Sequence, residues 1–106
     1  MTTTRLEHDL LGDREVPAEA YYGVHTLRAQ ENFQISGITI ATMPELIVAL
    51  AAVKAAAAEA NAELGLLPEG QRDAIVAACT EIRCGALHDQ FVVDVIQGGA
   101  GTSTNM

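Results

Sequence analysis

The sequence predicts a mainly α chain with a short extended and turn-forming arm at its start. Three observations carry this. Two long segments, from Pro44 and from Pro68, place apolar residues at three- and four-residue spacing. Each is bounded by a proline at its start and a glycine at its end. Turn formers collect before them, and a glycine-rich run follows them.

The elements follow in chain order. Leu11-Gly12-Asp13-Arg14 reads as a turn between two extended pieces, and Pro17 bars a helix from running through the second. From Tyr21 to Phe33 the sequence reads as a short helix or an irregular arm. Ile35-Ser36-Gly37-Ile38-Thr39-Ile40 alternates enough to suggest a short strand. Thr42-Met43-Pro44-Glu45 fits a capping box, with the Thr42 hydroxyl serving the Glu45 backbone and Pro44 in the first turn. Leu46, Leu50, Val53, Ala57, Ala60 and Leu64 then form the expected apolar stripe, ended by Gly65 as a left-handed cap. An Ala-rich stripe buries little area at ~25 cal/mol per Å², so this helix needs neighbours. The next helix starts at Leu66-Leu67-Pro68-Glu69 with Pro68 as its first residue. Its expected stripe is Ile75, Ala78, Cys79 and Ile82, with Arg83 favouring the C-terminal dipole and Gly85 as the stop. The short connection predicts a helical hairpin. Phe91 to Ile96 is an apolar extended run leading into Gln97-Gly98-Gly99-Ala100-Gly101 and the hydroxyls after it.

The 106 residues carry 14 acidic and 6 basic side chains, a formal charge of −8, and are 49% hydrophobic, which fits one small soluble domain or a piece of a larger one. The apolar share excludes a disordered tail, and the acidic balance argues against nucleic-acid and membrane-surface partners, which need clustered Lys and Arg. No apolar run approaches the ~20 residues of a membrane span. The N-terminus has no signal-peptide core, so the expected location is cytoplasmic. Cys79 and Cys84 are about 500° apart on a helix, which argues against a disulfide. They read as small buried thiols, and no ligand spacing suggests zinc.

The segment Gln97 to Asn105 is the place suited to a ligand. Three glycines in four residues let the backbone approach an anion closely, and a helix beginning at Thr102 would add its N-terminal N–H groups. Thr102, Ser103, Thr104 and Asn105 offer neutral donors. The plainer alternative is a glycine turn with a Ser/Thr helix cap. A P-loop fails because no Lys follows Lys54, and a dinucleotide fingerprint fails at its third glycine. His8, His25 and His88 are scattered and read as surface or structural residues. Glu59, Glu63, Glu69 and Asp73 read as solvated helix faces. Asp89 and Asp94 flank the apolar run near the loop, where structural salt bridges explain them about as well as function does. Tyr21, Tyr22 and Phe33 read as core or interface.

Gln97-Gly-Gly-Ala-Gly-Thr-Ser-Thr-Asn-Met106 resembles the first of the short signature regions of the aspartase/fumarase superfamily. Asp9 to Pro17, Ala20 to Ala29 with Glu31-Asn-Phe33, and Asp89 to Val95 resemble the same family in the same order. Tyr22, His25, Ala100 and Ser103 are more similar to the ammonia-lyase branch than to the fumarases. The resemblance implies the N-terminal domain of the L-aspartase-like fold over residues 1–106, in a homotetramer of much longer subunits. It implies anti-elimination of ammonia from L-aspartate to give fumarate, a small dicarboxylate substrate, and no organic cofactor. By match to the motif, Thr102 is the expected contact to the substrate carboxylate, then Asn105, then Ser103. The catalytic serine base of the family lies in a downstream signature that these 106 residues do not contain, so the chain alone is expected to be inactive. Fumarase, or a non-catalytic helical interaction module, is the alternative. Without further helices Leu46, Leu50 and Ile75 lack cover, which predicts weak solubility or partner-dependent folding.

Overall fold

A computed structural model describes residues 3–106. The chain forms two compact units: one takes the chain up to Thr42 and again from Asp89 to Met106, and the other is Met43–His88.

The first unit opens with an antiparallel hairpin, β1 (Thr4–Asp9) against β2 (Gly12–Pro17), in the register Thr4 to Pro17 through Asp9 to Gly12. The turn is Leu10-Leu11, slightly earlier than the sequence suggested. Its sheltered face is unusual. Arg5, Glu7 and Asp9 turn inward opposite Val16, Arg14 and Gly12, while Leu6 is exposed. Every one of those charges is answered. The Arg5 guanidinium donates to Glu7 and to the carbonyls of Pro17, Ala18, Ala20 and Tyr22 at 2.7–3.1 Å, fastening the chain that follows β2.

That chain leads into α1 (Val24–Asn32), so the segment from Tyr21 is helical for most of its length. Strand β1 caps it: the Val24 N–H donates to Glu7 Oε1 at 2.9 Å. Gly23 lets the carboxylate this close, since a Cβ there would lie 2.9 Å from the same oxygen. Arg28 of α1 holds Asp9 with two bonds of 2.8 and 2.9 Å, and Arg14 of β2 forms a bidentate pair with Glu31. Thus β1, β2 and α1 are joined mainly through charge, with Val16, Val24 and Ala29 as the small apolar centre.

The strand expected over Ile35–Ile40 does not form. Thr39 makes an isolated bridge to Asp94, flanked by Ile40 N–H to Val93 and Val95 N–H to Ile38 bonds of 3.0 and 2.9 Å. The N–H groups of Ile35, Ser36 and Gly37 instead turn toward the Asp94 carboxylate, which bends the backbone away from extended pairing. A 3-10 turn, Ile40–Thr42, ends this stretch.

The second unit is the expected helical hairpin, α2 (Pro44–Glu63) and α3 (Glu69–Arg83). Gly65, with φ of 74°, follows α2. Its N–H reaches the Ala62 carbonyl at 3.1 Å and the Leu66 N–H reaches Asn61 at 2.9 Å, a complete Schellman motif. Gly85 ends α3 with the same pair of bonds.

Four expectations need correction here. The capping box is absent: the Thr42 hydroxyl donates to the Thr39 carbonyl at 2.8 Å, and α2 starts after Met43 with no side-chain cap. Pro68 is the cap of α3, not its first residue. The buried face of α2 is Ile47, Ala51 and Ala58, one residue on from the expected stripe, leaving Val53 64% and Leu64 71% exposed. Because α2 is apolar almost all round, its spacing fits more than one face equally well. In α3 only Cys79 of the expected stripe is buried; Ile82 is half-buried, and Ile75 and Ala78 are exposed.

Cys79 and Cys84 are both free thiols, but Cys84 is exposed. A thiol reagent added to the 106-residue chain is expected to modify Cys84 rapidly and Cys79 only on unfolding. Rapid modification of both would contradict this packing. Tyr21 is also exposed, and Tyr22 and Phe33 are half-buried, so none of the three belongs to the core.

Candidate functional site

The glycine-rich loop is built on Asp94, which lies buried within the apolar run Phe91 to Ile96. Its carboxylate accepts from the N–H groups of Ile35, Ser36, Gly37 and Ile96 and from the Ser36 hydroxyl, at 2.8–3.3 Å. These bonds, the one from Ile96 foremost, hold its pKa down to about 2. Of the two carboxylates noted in this region, Asp94 is therefore a structural anion that shapes the chain before the loop. Asp89 is exposed.

Gln97 begins the loop and is tied back to that anchor, its Nε2 donating to the Asp94 carbonyl at 2.6 Å. Gly98 lies against the Phe33 ring, where a Cβ would sit 3.3 Å from the nearest ring carbon. Gly101 precedes the terminal helical turn, α4 (Thr102–Asn105), with φ of 73° and ψ of 27°, a left-handed conformation that glycine adopts without steric cost. The turn begins at Thr102 as the sequence suggested. Its bonds are Asn105 N–H to the Gly101 carbonyl at 3.3 Å and Met106 N–H to Thr102 at 2.9 Å. The N–H groups of the first turn have no acceptor within the turn itself.

The structure separates the expected contact residues. Thr102 and Asn105 are exposed; Ser103 and Thr104 are half-buried. Ser103 and Met106 reach a cavity of about 310 Å³ that is also lined by His25, Arg28, Asn32 and Phe33 of the first unit. Thr102 and Asn105 are not among its lining residues. Asp9 also lines the cavity; its largely buried carboxylate is held below the usual range first by its bonds from Arg28. The His25 ring stands 3.6 Å from Asp9, largely exposed. His8 pairs with Asp13 at 2.6 Å, and His88 bonds the Ile82 carbonyl at 2.8 Å, so both have structural partners. The juxtaposition of Ser103 with Arg28 and Asn32 carries no signal in the sequence; only folding α1 beside α4 creates it. Among the described residues no group of three or more His, Cys, Asp or Glu side chains is arranged to hold a metal, and no helix is long and apolar enough to cross a membrane.

Chemically, the end of the chain offers hydroxyl, amide and backbone donors on a rigidly founded loop, a set that suits carboxylate oxygens. A protein-family model described as lyase matches residues 12–106. The chain belongs to this lyase family. It is 58% identical over all its 106 residues to an aspartate ammonia-lyase of Pseudomonas aeruginosa, and 59% identical over 103 residues to that of Escherichia coli strain K12. It covers 22% of each of those proteins, so the chain spans about a fifth of the relatives it matches. Among solved structures, a fumarate lyase:delta crystallin of Brucella melitensis bound to cobalt superposes with a TM-score of 0.94 at 57% identity, over 98% of this chain and 23% of that one. A class II fumarase of Schistosoma mansoni superposes with a TM-score of 0.89 at 36% identity, over 97% of this chain and 22% of that one. The resemblance to the aspartase/fumarase superfamily read from the motifs is therefore borne out, as is the mainly helical fold with its extended arm.

Proposed function

We propose that this lyase-family chain is the N-terminal part of an aspartate ammonia-lyase. The complete enzyme, a cytoplasmic homotetramer using no organic cofactor, would convert L-aspartate reversibly to fumarate and ammonia. The observation that carries the reading is the gradient of similarity: 54–60% identity to several aspartate ammonia-lyases against 36% to the fumarase.

The chemistry makes one demand that this loop suits. Removal of the C3 proton places negative charge on the adjacent carboxylate, giving an enolate-like dianion before the C2–N bond breaks. Donors fixed where that charge develops stabilise the transition state more than the substrate. Thr102 is the residue we assign to the carboxylate, with Asn105 and Ser103 as further donors. The proton is taken by a base supplied downstream of Met106, so the role of these residues is binding and charge stabilisation.

The superposition on a fumarase keeps hydration as the second reading, since malate yields the same product. The complete protein is expected to generate fumarate absorbance from L-aspartate and none from L-malate, with the 106-residue chain silent on both. Signal from malate alone would make it a fumarase. Silence on both would leave a non-catalytic module.

A further inference from the structure

Gln97 is not part of the donor set assigned above, yet its side chain is tied back into the fold. Its Nε2 donates to the Asp94 carbonyl at 2.6 Å. That bond fixes which way the amide points, because a flipped amide would set oxygen against oxygen. The oxygen left on the other side, Oε1, is buried and has no hydrogen-bond partner among the described residues. A buried acceptor without a donor is costly, and native proteins seldom keep one unless something else supplies the bond. The placement gives this leverage. One bond upstream, the Asp94 carboxylate gathers five donors; one residue downstream, Gly98 is pressed against Phe33; four residues further lies Thr102.

Resting on the lyase reading, we propose that Gln97 is a positioning residue for the carboxylate-binding loop. Its N–H anchors the loop to the Asp94 carbonyl, and its oxygen accepts a hydrogen bond from a donor of the complete, ligand-bound enzyme. It acts on Thr102 through the backbone of Gly98 to Gly101 and does not itself touch the substrate. A glutamate of the same shape distinguishes this from simple packing. Ionised, it cannot donate to the Asp94 carbonyl; protonated, it again presents one donor and one acceptor.

The test compares the complete wild-type protein with Gln97→Glu and Gln97→Met. Hydrogen exchange over residues 97–106 is followed with the unreactive dicarboxylate succinate, together with kcat and KM for L-aspartate and the melting temperature. Loop exchange in Gln97→Glu at pH 8 is expected to speed up about tenfold or more relative to wild type, with the hairpin α2–α3 unchanged. Its kcat/KM is expected to fall about 10- to 100-fold. Both losses shrink as the pH is lowered through the range of the introduced carboxyl, whereas Gln97→Met stays impaired at every pH. Loop exchange equal to wild type in both variants would overturn the proposal. So would protection lost evenly across the protein, or a Gln97→Glu defect that does not respond to pH. The lyase reading fails separately, if the wild type forms no fumarate from L-aspartate; the exchange comparison still decides the role of Gln97.

Discussion

Replacing Thr102 by valine in the complete enzyme is expected to lower kcat/KM for L-aspartate by roughly 10²- to 10³-fold, the usual effect of deleting one donor aimed at developing negative charge. Valine keeps the shape of threonine and removes only the hydroxyl. Thr102 is exposed at the start of α4, so the melting temperature should barely move. Thr102→Ser, which restores a hydroxyl, should recover most of the loss. Steady-state kinetics on the three proteins, with thermal melts alongside, check the result. If Thr102→Val retained full activity, the carboxylate contact would have to be reassigned within the loop, to Ser103 or Asn105 first.

The second large effect is on stability. Asp94→Ala should lower the melting temperature of the complete protein by several degrees, because it strands four backbone N–H groups and the Ser36 hydroxyl at once. The pH dependence has a definite sign. The carboxyl titrates at about 2 in the folded chain against 3.8 ordinarily, so the folded state favours the ionised form. Its contribution is fully present above the ordinary value and disappears as the pH falls through about 2. Acid melts should therefore steepen between about pH 4 and pH 2 in the wild type. Asp94→Asn should start less stable and lack that component of the slope. A wild-type chain whose stability is flat over that window would show that Asp94 does not hold the chain in this way.

Much of the fold was legible because helix ends are written locally. Pro44, Gly65 and Gly85 mark boundaries through the conformations they allow, and the structure keeps all three. Which face of α2 is buried was not legible, since Ile47 and Leu46 are equally apolar and only the partner helix chooses between them. The β1–β2 hairpin was legible as two extended pieces about a turn, but its inward residues are Arg5, Glu7 and Asp9. A hydrophobicity pattern cannot reveal a face built from ion pairs whose partners lie in α1 and beyond. Thr42 is not the cap of α2 because it closes the 3-10 turn Ile40–Thr42 instead, its hydroxyl donating to the Thr39 carbonyl.

The loop was legible as a binding element from its glycines and hydroxyls, and the start of α4 fell where expected. Its foundation was not. Asp94 stood out only as one of two carboxylates near the apolar run, and nothing in the sequence brings Ser36 and Gly37 to it from nearly sixty residues away. Gln97 carries no distinct signal beside three glycines, since a glutamine there reads as an ordinary polar loop residue. Its significance depends on a buried oxygen that only the folded chain reveals.

The most direct test of the loop's role is a crystal structure of the complete enzyme with bound succinate. The account predicts a carboxylate oxygen of succinate within about 3.2 Å of the Thr102 hydroxyl, with the backbone of Gly98 to Gly101 closing round the same group. Succinate held elsewhere, with no contact to residues 102–105, would contradict it.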